Sequence, residues 1–513
     1  MRISVDMTKC QSYAQCAFLA PDVFRFEGDE ALVYDPNPSE SVRARVIQSA
    51  AACPVQAIRI DHERRQPEST PTPTDLAASD RVVVVGASLA GLTAVESLRS
   101  GGFSGSITVI GDEPHEPYDR PPLSKQVLLG IAPSGTQLPR TADLRADWIL
   151  GVAATGLDPR AQIVHLADGG AVSYDRLLIA TGTRARPWPN RDEAALNGIH
   201  TIRTSDDAEH LRQQLAAGPR RVLVIGAGFT GSEIASVCRS LDIPVTVVDR
   251  GPAPLAGALG DTVAGVLGEI QREHGIDLRS NATVTKLHAD AEGAVTAATL
   301  SDGTEIDADV VVVAIGALRN TDWLAGSGIS TGPLGVDCDA ACRVLDVNGD
   351  TAPGVFAAGD VAAFLHPSGD GRRTSREHWG NAVAQANAAA RNMLSGGDAA
   401  YDAVPVFWST QFGHVVKSVG EPADADSVVI AQGSLAERVF VAVYGVGDRI
   451  VGAAGMDQVK WIEHYRRQVA AGASFPPQGR TVDGSTAEPR VVHPLHGGTP
   501  NAIAPTAHER TRA

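Results

Sequence analysis

The succession of apolar and polar positions divides the chain into segments of different character. From Arg81 the run RVVVV is apolar and β-branched at nearly every position, as in a strand buried on both faces. A glycine-containing turn, a helical stretch and a second apolar run (SITVIG) follow, so the segment reads as one βαβ unit. A second such unit starts at Arg221 with RVLVIGAGFTG and closes with VTVVD. The two starts lie 140 residues apart. Solenoid repeats have periods of about 20–50 residues, so this is a duplicated nucleotide-binding unit instead. VVVVAIG (310–316) and VFAAGDVA (355–362) predict two further short buried strands. After about residue 404 the pattern becomes strand-like in VFWSTQFG, HVVKSVG, ERVFVAVYG and RIVGAAG, and then predicts a helix over Met456–Ala471.

Residues 1–62 read as a separate small module. Arg2–Val5 is β-like, a helical patch follows Cys16, and polar turns come next. A helix over Ser41–Ala52 ends at Cys53-Pro54, and Ala57–Ile60 closes the module as a short strand. Residues 63–80 are rich in Pro, Ser, Thr and charge, the composition of a linker. As a flexible coil that stretch spans about 23 Å. Residues 481–513 have no apolar periodicity and are expected to be a disordered tail.

Of the 513 residues 43% are apolar and 20% charged, ordinary values for a globular protein. The net charge of −16 argues against nucleic acid as the main partner, which requires a basic field. No apolar run reaches the ~20 residues of a membrane-spanning helix, so no membrane role is expected. MRISVDMTKC has no apolar core of a secretory signal, so the expected compartment is the cytoplasm. Six cysteines do not make a disulfide framework, but three of them, Cys10, Cys16 and Cys53, cluster in the first 53 residues.

The second βαβ unit carries Gly226-x-Gly228-x-x-Gly231 between a strand and a helix, the context a dinucleotide requires. The first glycine allows the tight turn, the second lets the backbone approach a pyrophosphate, and the third lets helix and strand pack closely. Asp249 ends the following strand, where a carboxylate accepts from the ribose 2′-hydroxyl and disfavours a 2′-phosphate. Arg250 beside it can hold such a phosphate, so NADH is expected with NADPH as the alternative. The first unit has Gly86-x-Ser88-x-x-Gly91, with serine at the middle position. Alone it reads equally as an ordinary strand–helix turn. Two units in one chain point to a flavin dinucleotide and a nicotinamide dinucleotide brought together for hydride transfer.

YDRPPLSK (118–125), LLIATGTRARP (177–187), GAGFTGSE (226–233), GVFAAGDVA (354–362), REHWGNAVAQ (376–385) and FWSTQFG (407–413) occur in this order. With these motifs residues 81–480 resemble the FAD-dependent ferredoxin reductases of the putidaredoxin-reductase and biphenyl-dioxygenase-reductase type. FWSTQFG departs from the commoner FWSDQ at Thr410. The resemblance implies an α/β protein with two Rossmann-like dinucleotide-binding domains and an α+β C-terminal domain. The boundaries it implies are an FAD domain over 81–190 and 318–403, an NAD domain over 191–317 and a C-terminal cap over 404–480. It implies FAD contacts from Gly86, Ala90, Gly91, Asp112, Arg120, Lys125, Ala154, Thr181, Gly182, Asp360 and Trp379. Asp360 would accept from the ribitol hydroxyls, Lys125 would place a cation near the flavin ring, and Trp379 would offer it a flat surface. Glu233 would be the carboxylate on the nicotinamide side. Lys125, Glu233 and Trp379 are thus the implied catalytic residues. The plainer readings are a turn residue for Asp360, core for Trp379 and a first-turn helix acid for Glu233.

No Cys-x-x-Cys occurs, and the first FAD helix has no cysteine. Cys238, Cys338 and Cys342 read as small buried hydrophobes. Electrons are therefore expected to leave the flavin singly, towards a one-electron carrier.

Cys10-x5-Cys16 followed by Cys53-Pro54, with APDVF (20–24) between, resembles the small single-cluster bacterial ferredoxins. The resemblance implies a small α+β ferredoxin domain ahead of the reductase. Tyr13 stands where a further ligand is usual, so three thiolates imply a 3Fe-4S cluster, with 4Fe-4S the alternative. The expected activity is a ferredoxin--NAD(+) reductase with its own ferredoxin. Its electrons would pass to an external acceptor of the cytochrome P-450 monooxygenase type. The alternatives are an NADH oxidase or diaphorase with a sensory or vestigial N-terminal module, and a non-catalytic flavin-binding interaction protein. Arg372, Arg373 and Arg376 precede Trp379, and are expected either to form a positive dock for the ferredoxin or to be a solvated loop.

Overall fold

In the computed structural model the chain is described over residues 2–6, 16, 20, 22–27, 31–43, 45–46, 49, 57–61, 76–135, 138, 144–365, 371–458, 461–477, 491–496 and 501–502. It forms two compact units, one of residues 1–120, 135–184 and 317–403, the other of 121–134, 185–316 and 404–513.

The core of the first unit is a ten-stranded sheet in which five neighbouring strands run parallel, in the order Asp147–Leu150, Ser106–Gly111, Arg81–Val85, Arg176–Ile179, Thr351–Ala357. Val82 to Val85 and Leu177 to Ile179 are each no more than 3% exposed, the two-sided burial predicted from their uninterrupted apolar runs. Helices Leu89–Ser100 and Trp379–Ser395 pack their apolar faces into the same core.

The N-terminal module belongs to this unit. Strands Arg2–Val5 and Ile58–Asp61 pair antiparallel, as the flanking β-like segments predicted. The polar turns expected between them are in fact a hairpin, Phe24–Glu27 with Ala31–Tyr34. Ile3, Val23 and Phe24 form its core together with Cys16. Of the helix expected over Ser41–Ala52, the described part begins as a single tight turn at Glu40–Val42. Cys10, Tyr13, Cys53 and most of the linker lie outside the described residues.

The second unit holds the other parallel sheet, ordered Ile199–His200, Val310–Val313, Val222–Ile225, Val245–Val248, Asp277–Arg279. It also holds a seven-stranded antiparallel sheet in which Val406–Gln411, His414–Gly420, Arg449–Met456, Val439–Val446 and Ser427–Ser434 are successive neighbours. The last of these was not expected. Two expectations are corrected here. Met456 ends a strand, and the helix runs over Ile462–Ala470. Within the tail, Val491–Pro494 is a strand paired with Ser427–Ser434. Leu495 behind it is buried, and its carbonyl accepts from Asp261 N at 2.9 Å. Among the described residues no helix is long and apolar enough to cross a membrane.

Candidate functional site

In the first unit the strand Arg81–Val85 turns into the helix Leu89–Ser100 through Gly86. Gly86 has φ +126°, and a Cβ there would lie 2.0 Å from the Ala180 carbonyl oxygen. Gly91 passes so close that its Cβ would stand 2.0 Å from Gly86 O. Only glycine fits either position. Ser88 is the residue before the helix, with extended backbone, and its Oγ accepts from Arg120 Nε at 3.4 Å. The serine that breaks the glycine pattern thus has a partner. Arg120 is also held by Glu113 Oε1 at 2.5 Å and Tyr118 Oη at 3.0 Å.

The same unit holds the other implied FAD residues except Lys125, which belongs to the second unit. Asp112 stands exposed just past the strand Ser106–Gly111. Ala154 begins a strand. Thr181 Oγ1 donates to Asn320 O at 2.8 Å, and Gly182 follows with φ +62°. Asp360 comes directly after Gly359, whose added Cβ would meet Ala90 Cβ at 3.1 Å. Trp379 is the first residue of its helix and donates from Nε1 to Asp119 Oδ1 at 2.9 Å. Asp119 was not singled out from the sequence, although it sits inside the YDRPP motif. The two tight glycine turns and the small residue Ala90 leave the backbone exposed in the way a dinucleotide requires, so these residues fit FAD.

The second unit repeats the turn. Gly226 has φ +105°, with a Cβ position 2.3 Å from Ala314 O, and a Cβ on Gly231 would lie 2.0 Å from Gly226 O. At Gly228, the residue before the helix Phe229–Ser240, an added Cβ would meet nothing within 4 Å. That open approach to the helix N-terminus has room for a pyrophosphate. Asp249 accepts from Ala227 N and Gly251 N, both at 2.6 Å, which fixes its carboxylate beside the turn. Arg250 is exposed.

One helical turn further, Glu233 is 6% exposed and forms an ion pair with Lys125, itself 9% exposed, at 3.0 Å. Ser124 Oγ donates to Glu233 Oε2 at 2.5 Å and Ser409 Oγ donates to Oε1 at 2.6 Å. Lys125 Nζ also donates to Pro121 O at 3.1 Å. Both charges are therefore taken out of water with partners, the condition for keeping them buried. The sequence marked Lys125 and Glu233 separately and missed that they pair. It missed Ser124 and Ser409 as well, although each adjoins or lies within a quoted motif.

The three arginines considered for a positive dock have different surroundings. Arg372 is exposed, but Arg373 Nη1 donates to Cys338 O at 2.6 Å. Arg376 is 4% exposed, donates to Ala403 O and lies 5.2 Å from the Phe364 ring centre. Of the three, Arg376 is the one buried inside the unit. Cys238, Cys338 and Cys342 are each 0% exposed. Burial pushes the Cys238 and Cys342 thiols up to about 12 and raises that of Cys338 too, so none supplies a thiolate near neutrality. Of the three candidate cluster ligands only Cys16 is among the described residues, and it is buried in its module's core.

The sequence model of the pyridine nucleotide-disulphide oxidoreductase family matches residues 80–386, more than half of the chain. The chain belongs to this family. A reductase C-terminal domain matches 406–487, and a 4Fe-4S single cluster domain of ferredoxin I matches 5–60. Rhodocoxin reductase of Rhodococcus erythropolis is 37% identical, over 74% of this chain and 86% of its own. Putidaredoxin reductase of Pseudomonas putida is 34% identical, over 73% and 88%. The crystal structure of the ferredoxin reductase for the CYP199A2 system of Rhodopseudomonas palustris superposes with a TM-score of 0.72 at 31% identity, covering 77% of this chain and 96% of that one. The protein is an FAD-dependent oxidoreductase of the ferredoxin-reductase type with a ferredoxin-type domain at its N-terminus.

Proposed function

We propose that this protein is a self-contained electron relay from NADH through FAD and its own iron-sulfur cluster to an external monooxygenase of the cytochrome P-450 type. The observation that carries the reading is the presence of a ferredoxin-type match over residues 5–60 and a reductase match over 80–386 in one chain. Tethered by a short linker, the two partners would meet at roughly millimolar effective concentration. The acceptor class is supported by relatives whose names place them with rhodocoxin and putidaredoxin and with a CYP199A2 system. With three cysteines and a tyrosine in the ligand run, we assign a 3Fe-4S cluster, with 4Fe-4S the alternative.

Bound FAD supplies the conversion between a two-electron hydride donor and one-electron acceptors. The chain's residues prepare the reactants. Gly226, Gly228 and the amides of the helix behind them would hold the pyrophosphate of the nicotinamide dinucleotide, and Asp249 would take its ribose hydroxyl. Glu233, fixed by Lys125 and two serine hydroxyls, presents a rigid carboxylate on the nicotinamide side. In the first unit Gly86 and Gly91 would admit the FAD pyrophosphate, Asp360 would hold the ribitol, and Trp379 would offer a flat surface to the ring.

The purified chain is expected to reduce cytochrome c with NADH and no added ferredoxin. Under the same conditions NADPH should give a lower kcat/KM. A strict requirement for an added ferredoxin would overturn the fused relay and leave a plain reductase.

A further inference from the structure

The helix Trp379–Ser395 buries a stripe of alanines, yet three amides share that face: Asn381, Gln385 and Asn392, at 1%, 0% and 2% exposure. A buried amide is destabilising wherever a polar atom lacks a partner. Asn392 is held by Ala341 O and Ala399 O, both at 2.9 Å. Asn381 donates to Arg376 O at 3.1 Å and accepts from Tyr401 Oη at 2.8 Å. Gln385 differs. Its Oε1 accepts from Gly359 N at 2.9 Å, and its side chain also bonds the buried Cys342 thiol.

That bond falls at a particular place. The strand Thr351–Ala357 leaves the sheet at Ala358, whose amide still donates to Ile179 O at 3.0 Å. The next amide is Gly359's. There the backbone turns through φ +81° before delivering Asp360. Gln385 therefore provides the first acceptor beyond the sheet, across 26 residues of sequence. Asn381 Nδ2, 3.4 Å from Gln385 Oε1, holds the same oxygen in place.

We propose that Gln385 is a positioning residue for FAD, acting through the Gly359 amide to aim Asp360 at the ribitol chain. The inference rests on the reading of Asp360 as an FAD ligand.

The test is FAD binding, measured by flavin fluorescence during reconstitution of the deflavinated full-length chain. Gln385→Leu should raise the FAD dissociation constant about tenfold, the loss of one buried hydrogen bond. Gln385→Glu keeps an oxygen in the same place and should stay within about threefold of the parent. If the residue merely packs, the order reverses, because leucine suits a buried apolar site and a carboxylate does not. Asp360→Ala alone should weaken FAD binding, and an unchanged constant would refute the ligand reading itself. Combined with Gln385→Leu it should add less than the sum of the two effects, since both act on one contact. Full additivity, or the reversed order of the Gln385 variants, would overturn the proposal.

Discussion

Cys53→Ala is expected to cut NADH-driven cytochrome c reduction at least about tenfold while ferricyanide reduction continues near the parent rate. A cluster ligand must be a thiolate, and a methyl group cannot replace it. With only three cysteines in the module, no spare thiol can stand in. Cytochrome c is the acceptor that reports the cluster, whereas ferricyanide is small enough to collect electrons at the reductase core. The reductase sheet is built from residues after Arg81 and does not depend on Cys53. Equal loss of both activities would contradict the order of the relay. No loss of either would remove the N-terminal module from it.

Replacing Glu233 with Gln should slow NADH-driven flavin reduction on the order of a hundredfold, and should also destabilise the protein. The two effects have different origins. Lys125, 9% exposed, would lose its counter-charge, and breaking a buried pair from one side costs about 3–5 kcal/mol. In a unit of this size that is a fall of roughly 10 °C in Tm. The rate effect comes from losing the carboxylate that Ser124 and Ser409 hold at 2.5 and 2.6 Å, since small misplacements at a reacting centre carry penalties of about that size. A double variant, Lys125→Met with Glu233→Met, separates them. It should recover the Tm, because an apolar pair is tolerated where an ion pair was buried, but not the rate. Recovery of both would reduce Lys125 and Glu233 to structural residues.

The parts of this arrangement that were legible in the sequence are those written in local pattern. RVVVV and VLVI announce strands buried on both faces, and the glycines at 86, 91, 226 and 231 are placed where the backbone admits no Cβ. The Lys125–Glu233 pair was not legible as a pair. Its members are 108 residues apart in sequence, and nothing local to either names the other. Ser409 was hidden for the same reason, 176 residues from the carboxylate it bonds. Arg376 shows the converse error. A run of arginines reads as a surface patch, but its guanidinium finds a carbonyl and an aromatic face inside the unit. The tail misled because four residues of strand, Val491–Pro494, are too few to raise a periodic signal. Gln385 could have been found. Amides at 381 and 385 stand four apart on an alanine face, a polar spacing that requires a buried partner.

The most direct test of the relay is anaerobic electron paramagnetic resonance of the full chain, as isolated and after one equivalent of NADH, with the flavin followed by absorbance. The account predicts the near-isotropic signal of an oxidised three-iron cluster in the isolated protein, and its disappearance as NADH bleaches the flavin. A bleached flavin with no iron-sulfur signal in either state, and no iron by analysis, would contradict it.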